Sequence, residues 1–366
     1  MRCNTISLFT YIKLFCLLIV AFSKGFSQGT PPCDTKCIPI SLRIVPANYQ
    51  IPPKDTTQKP VKKVTNIPAF DSFLNNNLQS YDNNVLAFVC NDTLSYSYKN
   101  GQYNADDILP IASATKWLTA AVIMSLVDNN KLNLNDKIGA YLPIFNTYGK
   151  GDITIRQIFS HTSGFQADTP YDDRGGISLA AAVDSIAIYS NLQFSPGTQA
   201  SYGSSAYKIA ARIAEVIEGK LWEDIFKERI ANKCEMSNTS YLSFINNTNP
   251  HAGAGVRSTM NDYIKFLTMI HNFGIYKGQR VLSENSVKTI ELDQSGGINT
   301  FYGLGVWRYQ IVSGFAKEVS SPSAMGIHPW INRDKKYFGI IFTQAGFDKT
   351  INTNLNFRSL VQNTIK

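Results

Sequence analysis

Residues 107–124 read DILPIASATKWLTAAVIM, and Ser113-Ala114-Thr115-Lys116 lies where an irregular stretch gives way to helical periodicity. Trp117, Ala121 and Met124 recur at the spacing of one helix face, so a helix begins at or near Ser113. Residues three apart share a face, which lets the Ser113 hydroxyl meet the Lys116 ammonium. The partial positive charge of a helix N-terminus favours an alkoxide on Ser113, and a second cation nearby would hold Lys116 partly neutral. The same tetrapeptide also fits an N-cap serine followed by a solvated lysine, so its surroundings must decide between catalysis and capping.

Before this stretch, Phe70, Phe73, Leu74 and Leu78 form a helical stripe, and Val85 to Cys90 and Thr93 to Tyr98 read as strands. The turn Lys99-Asn100-Gly101 closes that section. After it, helical patterns run through Ala206 to Ile217, Leu221 to Ile230 and Met260 to Ile270. Strand patterns return in Tyr302 to Tyr309, Met325 to Ile331 and Tyr337 to Thr343, and a helix is expected from Asn354 to Ile365. Strands early and late with helices between predict an α/β (α+β) fold: a sheet built from both chain ends, with a helical domain of residues 113–270 inserted.

Several segments in order resemble the class C β-lactamase family of serine hydrolases, which is related to DD-peptidases and esterases. They are the Ser113-x-x-Lys116 stretch, Ile123-Met124-Ser125-Leu126-Val127, Lys131-Leu132-Asn133-Leu134-Asn135-Asp136, residues 153–164 ending in Ser160-His161-Thr162-Ser163-Gly164, and Phe194-Ser195-Pro196-Gly197-Thr198. The resemblance extends more loosely from residue 64 to the C-terminus. It implies an antiparallel sheet with flanking helices, an inserted helical domain and a cleft between them. Tyr202-Gly203-Ser204 stands at the family's Y-x-N position, which implies that Tyr202 and Lys116 move the proton from Ser113 to the leaving group. A tyrosine near its free pKa of about 10 is a poor base at neutral pH, so a neighbouring cation must stabilise its phenolate or relay the proton. Ser204 replaces the usual asparagine and reaches less far toward a substrate amide.

The third family motif, K-T-G or H-x-G on a strand beside the nucleophile, is where the chain departs. Its counterpart is Ser321-Pro322-Ser323-Ala324, with no lysine or histidine. The backbone N–H of Ala324 can still complete an oxyanion hole with that of Ser113, because any non-proline residue supplies one. Ser204, Ser321 and Ser323 are the candidate substrate contacts, and Lys317 or Arg308 is the candidate source of the missing cation. His161 is expected to hydrogen-bond loop backbone. His251, His271 and His328 lack ligand spacing, so no metal or other cofactor is indicated. Gly253 and Gly255 read as a turn, not a phosphate loop.

With 44% hydrophobic and 17% charged residues in 366, the chain is long and apolar enough for a full core. Residues 1–27 read as a signal peptide cleaved before Gln28: Arg2 and Lys13 precede an apolar run from Leu14 to Phe22, and small residues follow. That run is about half the ~20 residues of a spanning helix, which argues against a retained membrane anchor. Cleavage lowers the basic residues from 35 to 32 against 27 acids, a mild and scattered excess that does not fit a nucleic-acid partner. Residues 28–63 form a proline-rich leader, with seven of the fifteen prolines before residue 61. The domain proper is residues 64–366. Cys33 and Cys37 could close a small loop in an oxidising compartment, while Cys90 and Cys234 read as buried free thiols.

The expectation is an exported, periplasmic or secreted, hydrolase that cleaves a small ester, amide or peptide through an acyl-enzyme on Ser113. Two rivals remain open on sequence: a non-catalytic or slow-turnover penicillin-binding sensor, favoured by the altered third motif, and a β-lactamase or D-amino-acid peptidase or amidase. No glutamate is placed by motif to activate the deacylating water, so Tyr202 would serve both halves of the reaction.

Overall fold

A computed structural model describes residues 66–242 and 248–365. The signal-peptide and leader assignments, and the Cys33–Cys37 pair, lie outside those residues. The described chain begins with helix α1 (Pro68–Asn76) and the hairpin β1 (Val85–Cys90) and β2 (Ser95–Asn100). It continues through α2 (Thr115–Asp128), α3 (Ile155–Phe159), α4 (Leu179–Tyr189), α5 (Ala206–Glu218), α6 (Trp222–Phe226), α7 (Met260–His271) and α8 (Glu284–Glu291). It ends with β3 (Trp307–Val312), β4 (Phe315–Ser320), β5 (His328–Asn332), β6 (Tyr337–Phe342) and α9 (Phe347–Thr364).

The six strands form one sheet in the order β2-β1-β6-β5-β4-β3, with every neighbouring pair antiparallel. The sheet therefore joins the early hairpin to the late strands through β1 and β6, as expected from the sequence. Both faces of its centre are covered, and the strand period of two sorts the side chains between them. Val85, Ala87, Val89, Tyr337 and Ile341 pack with Phe70 and Leu74 of α1 and Phe357 and Val361 of α9. Leu86, Phe338, Ile340 and Phe342 face the core that holds α2, α5 and α7.

Helix α2 is buried from Thr115 through Leu126, so it runs through the core and has no solvent face. Its two buried threonines are satisfied: the Thr115 hydroxyl accepts the Val256 N–H at 3.1 Å, and the Thr119 hydroxyl donates to the Ala252 carbonyl at 2.6 Å. The helix that carries Lys116 is thus encased on every side, which sets the electrostatics of the site.

Several elements differ from the sequence reading: β5 begins at His328, three residues later than expected, and α9 begins at Phe347, seven residues earlier than expected. Strand β2 begins at Ser95, two residues later than expected, and β3 begins at Trp307, with only an isolated bridge between Tyr302 and Trp307 before it. Strand β4 has no counterpart in the sequence reading. Its inward Glu318 forms a buried ion pair with Arg358, and His328 meets the same guanidinium at 2.7 Å. A charge in an inward strand position hides the alternation on which strand recognition depends.

Candidate active site

Ser113 occupies a 3₁₀ turn, Ala112–Ala114, that leads directly into α2. The preceding Ala112 has φ +40°, an unusual left-handed conformation for a residue with a side chain, and such outliers are tolerated where the surrounding structure fixes them. Ser113 itself remains partly exposed. Among the described residues its N–H and that of Ala324 donate to no protein acceptor. Segment 321–324 lies against Ser113, since the Ser321 hydroxyl donates to the Ser113 carbonyl at 3.2 Å. The Ala324 carbonyl is held by the Phe347 N–H at 2.9 Å. Ser323 is fully buried and its hydroxyl accepts the Met325 N–H at 3.0 Å, which turns it into its own loop and away from the cleft.

Lys116 is fully buried and its Nζ has three hydrogen-bond partners: Ser113 Oγ at 3.3 Å, Ser204 Oγ at 2.8 Å and the Gly253 carbonyl at 2.9 Å. An ammonium donates to all three. A neutral amine has two N–H bonds and one lone pair, so it can donate to Gly253 and Ser204 and accept the Ser113 proton. Burial favours that neutral form and lowers the Lys116 pKa to about 7, against the opposing pull of Asp168 and Asp172. The sequence reading looked to a second cation for this effect. Desolvation supplies it instead, and the nearby charges are acidic.

Tyr202 approaches Lys116 from the loop before α5. Lys116 Nζ stands 4.8 Å from its ring centre, and the ring stacks on Trp307 at 5.4 Å and meets His161 at 4.6 Å. His161 Nδ1 accepts the Gly203 N–H at 3.4 Å, the loop-backbone role expected of it. His251 Nδ1 likewise accepts the Gly253 N–H at 3.3 Å. Both imidazoles are pushed well below their ordinary pKa, first by burial and then by neighbouring lysines, so neither is a cation here.

Gly253 is a site residue that sequence reasoning passed over as a plain turn. A Cβ there would lie 2.5 Å from the Ser204 carbonyl and 2.7 Å from the Ser204 Cβ, so only glycine lets this carbonyl reach Lys116 beside Ser204. Nothing local could reveal it, because its partner is 137 residues away in sequence. Tyr302 was read only as part of a strand, yet its ring packs on His161 at 4.6 Å.

The two cations suggested for the third motif are engaged elsewhere. Lys317 is exposed and faces Asp334 at 3.4 Å. Arg308 is buried and donates to the carbonyls of Glu291, Thr300 and Gly314. Neither reaches Ser321-Pro322-Ser323-Ala324, so that wall of the site is uncharged.

The sheet, the inserted helices and the serine–lysine pair at the head of a buried helix define a serine hydrolase on a β-lactamase/transpeptidase-like frame. A family model described as Beta-lactamase matches residues 83–356. A crystal structure of a putative beta-lactamase from Bacteroides dorei DSM 17855 is 31% identical and covers 77% of this chain and 91% of its own, with a TM-score of 0.70. Penicillin-binding protein 4 of Amycolatopsis lactamdurans is 35% identical over 129 residues, 34% of each chain. The D-alanyl-D-alanine-carboxypeptidase/endopeptidase AmpH of Escherichia coli K12 is 26% identical over 204 residues, 47% of this chain and 51% of that one. The chain spans a third to a half of the length of these curated relatives. It belongs to the beta-lactamase family, among the penicillin-binding-protein-like serine hydrolases. No helix among the described residues is long and apolar enough to cross a membrane.

Proposed function

We propose that the protein is an exported acyl hydrolase in which Ser113 is the nucleophile, Lys116 its base and Tyr202 the proton relay to the leaving group. The observation that carries this reading is the set of three partners around Lys116 Nζ, because it leaves a neutral amine one lone pair, directed at Ser113. Ser113 Oγ attacks the substrate carbonyl carbon as its proton passes to Lys116. The developing oxyanion accepts from the N–H groups of Ser113 and Ala324, which would stabilise the charge that appears in the transition state. As the tetrahedral intermediate collapses, the leaving alkoxide takes a proton from the Tyr202 hydroxyl, which Lys116 replenishes. Water then attacks the acyl-Ser113 ester with the same groups acting in reverse.

The uncharged wall at Ser321–Ala324 favours short uncharged esters over β-lactams. A β-lactam carries a carboxylate, and losing one charge-assisted hydrogen bond of roughly 1.5 to 3 kcal/mol slows its acylation by about 10- to 150-fold. An ester without that carboxylate loses nothing. The test compares kcat/KM for a short-chain 4-nitrophenyl ester and for nitrocefin in wild type and Ser113→Ala. Repeated turnover of the ester that disappears in Ser113→Ala is expected. A burst of one equivalent followed by arrest would favour the sensor reading, and undiminished hydrolysis by Ser113→Ala would eliminate the mechanism.

A further inference from the structure

We propose that Asp168 makes this site selective for substrates that carry a positive charge near the scissile carbonyl, an amine or ammonium group, over neutral and anionic ones. The inference rests on the hydrolase reading above and specifies its substrate class. The Ala167 carbonyl accepts the N–H groups of Ser204 at 2.7 Å and Ser205 at 3.2 Å. A Cβ added to Gly203 would lie 2.4 Å from Ala167 Cα. The backbone leading into Asp168 is therefore laid directly on the Tyr202-Gly203-Ser204 turn, one residue from the group that contacts Lys116.

Asp168 is half-buried and close enough to Lys116 for their charges to act on each other. Burial raises the pKa of its carboxyl above the ordinary value, and Lys116 opposes that rise. Among the described residues it has neither an ion-pair nor a hydrogen-bond partner, unlike Asp172 just beyond it, which takes the Ser205 hydroxyl and the Thr169 N–H. A carboxylate drawn out of water without a partner is costly, and a cation placed against it removes that cost.

The remaining charges leave this carboxylate uncompensated. Lys208 donates to the carbonyls of Asp172 and Pro250. Lys317 and Arg308 are occupied elsewhere, and Ser321–Ala324 carries no charge. When Lys116 is in its working, neutral form, the charges left beside it are acidic: Asp168, without a partner among the described residues, and Asp172, held by the Ser205 hydroxyl and the Thr169 N–H. A substrate ammonium is attracted to them and a substrate carboxylate is repelled.

The experiment measures kcat/KM for the 4-nitrophenyl esters of β-alanine and of butyric acid, which differ by ammonium against methyl, each divided by its rate of alkaline hydrolysis. Succinic acid mono-4-nitrophenyl ester supplies the anionic case, and Ser113→Ala supplies the background. Wild type is expected to favour the ammonium ester by about 10- to 150-fold, the range of one charge-assisted contact. Asp168→Asn is expected to remove that ratio and Asp168→Glu to retain most of it. Because both esters share the catalytic steps, the ratio cancels any effect of Asp168 on Lys116.

Inhibition by n-butylammonium, set against n-butanol, reads the same preference in wild type without a variant. No corrected preference in wild type, or a ratio unchanged in folded Asp168→Asn, would overturn the inference while leaving the hydrolase reading intact. If wild type cleaves none of the three esters above the Ser113→Ala background, the hydrolase reading fails and this inference falls with it.

Discussion

Replacing Lys116 with methionine separates a buried, readily neutralised lysine from an ordinary one. In the unfolded chain this lysine keeps its proton up to about pH 10.5, and in the fold it releases it near pH 7. Between those values the unfolded state binds more protons than the native state, so wild-type stability rises with pH across the window. Each pH unit contributes about 1.4 kcal/mol, or about 5 kcal/mol over the whole window. Below pH 7 the full cost of burying the ammonium is present.

Methionine fills similar space without charge and removes that cost. It also leaves the Ser204 hydroxyl and the Gly253 carbonyl without their N–H partner, at about 1 to 3 kcal/mol each. At pH 6 these opposing effects leave the variant close to wild type or up to about 3 kcal/mol more stable. The diagnostic quantity is the slope: the variant should lose about 1.4 kcal/mol relative to wild type for each pH unit above 7, becoming the less stable protein before pH 10. Urea unfolding of both proteins at pH 6, 7, 8 and 9 measures it. A stability difference that stays constant from pH 7 to 9 would mean that Lys116 keeps its proton throughout, and its role as base would be refuted.

Tyr202→Phe should lower kcat/KM for an ester by about 10² to 10⁴ while costing no more than the roughly 1 kcal/mol of one hydrogen bond in stability, since it removes one hydroxyl and keeps the ring stacked on Trp307; steady-state assays and urea unfolding together check this. Ser321→Lys should raise kcat/KM for nitrocefin by about 10-fold or more, by placing a cation on the uncharged wall beside Ser113, and equal nitrocefin rates in both proteins would contradict that account. The mature chain should begin at Gln28, which N-terminal sequencing of exported protein decides; membrane-retained protein still carrying residues 1–27 would refute it.

Residues close in sequence made their part of the site legible. Ser113 and Lys116 meet because a helix brings i and i+3 together, and this needs no knowledge of the rest of the chain. The sheet from both chain ends was legible for a similar reason, since β1 and β6 are short apolar runs bounded by turn residues. What sequence could not supply came from distant partners. The Gly253 carbonyl reaches Lys116, and Ala167 lies against the 203–204 turn, through contacts that no local pattern encodes. The neutralising influence on Lys116 was assigned to a second cation because burial of all sides of α2 is a tertiary property. Strand β4 escaped notice because Glu318, paired with the distant Arg358, stands where an apolar residue would have marked the alternation.

The central claim is that Ser113 carries the acyl group. Wild-type protein mixed with a 4-nitrophenyl ester, quenched in acid within the first turnover and digested, should give a peptide containing Ser113 that is heavier by the mass of the acyl group. The same treatment of Ser113→Ala should give no acylated peptide. An acyl group on a different residue, or ester turnover in wild type that persists undiminished in Ser113→Ala, would contradict the account.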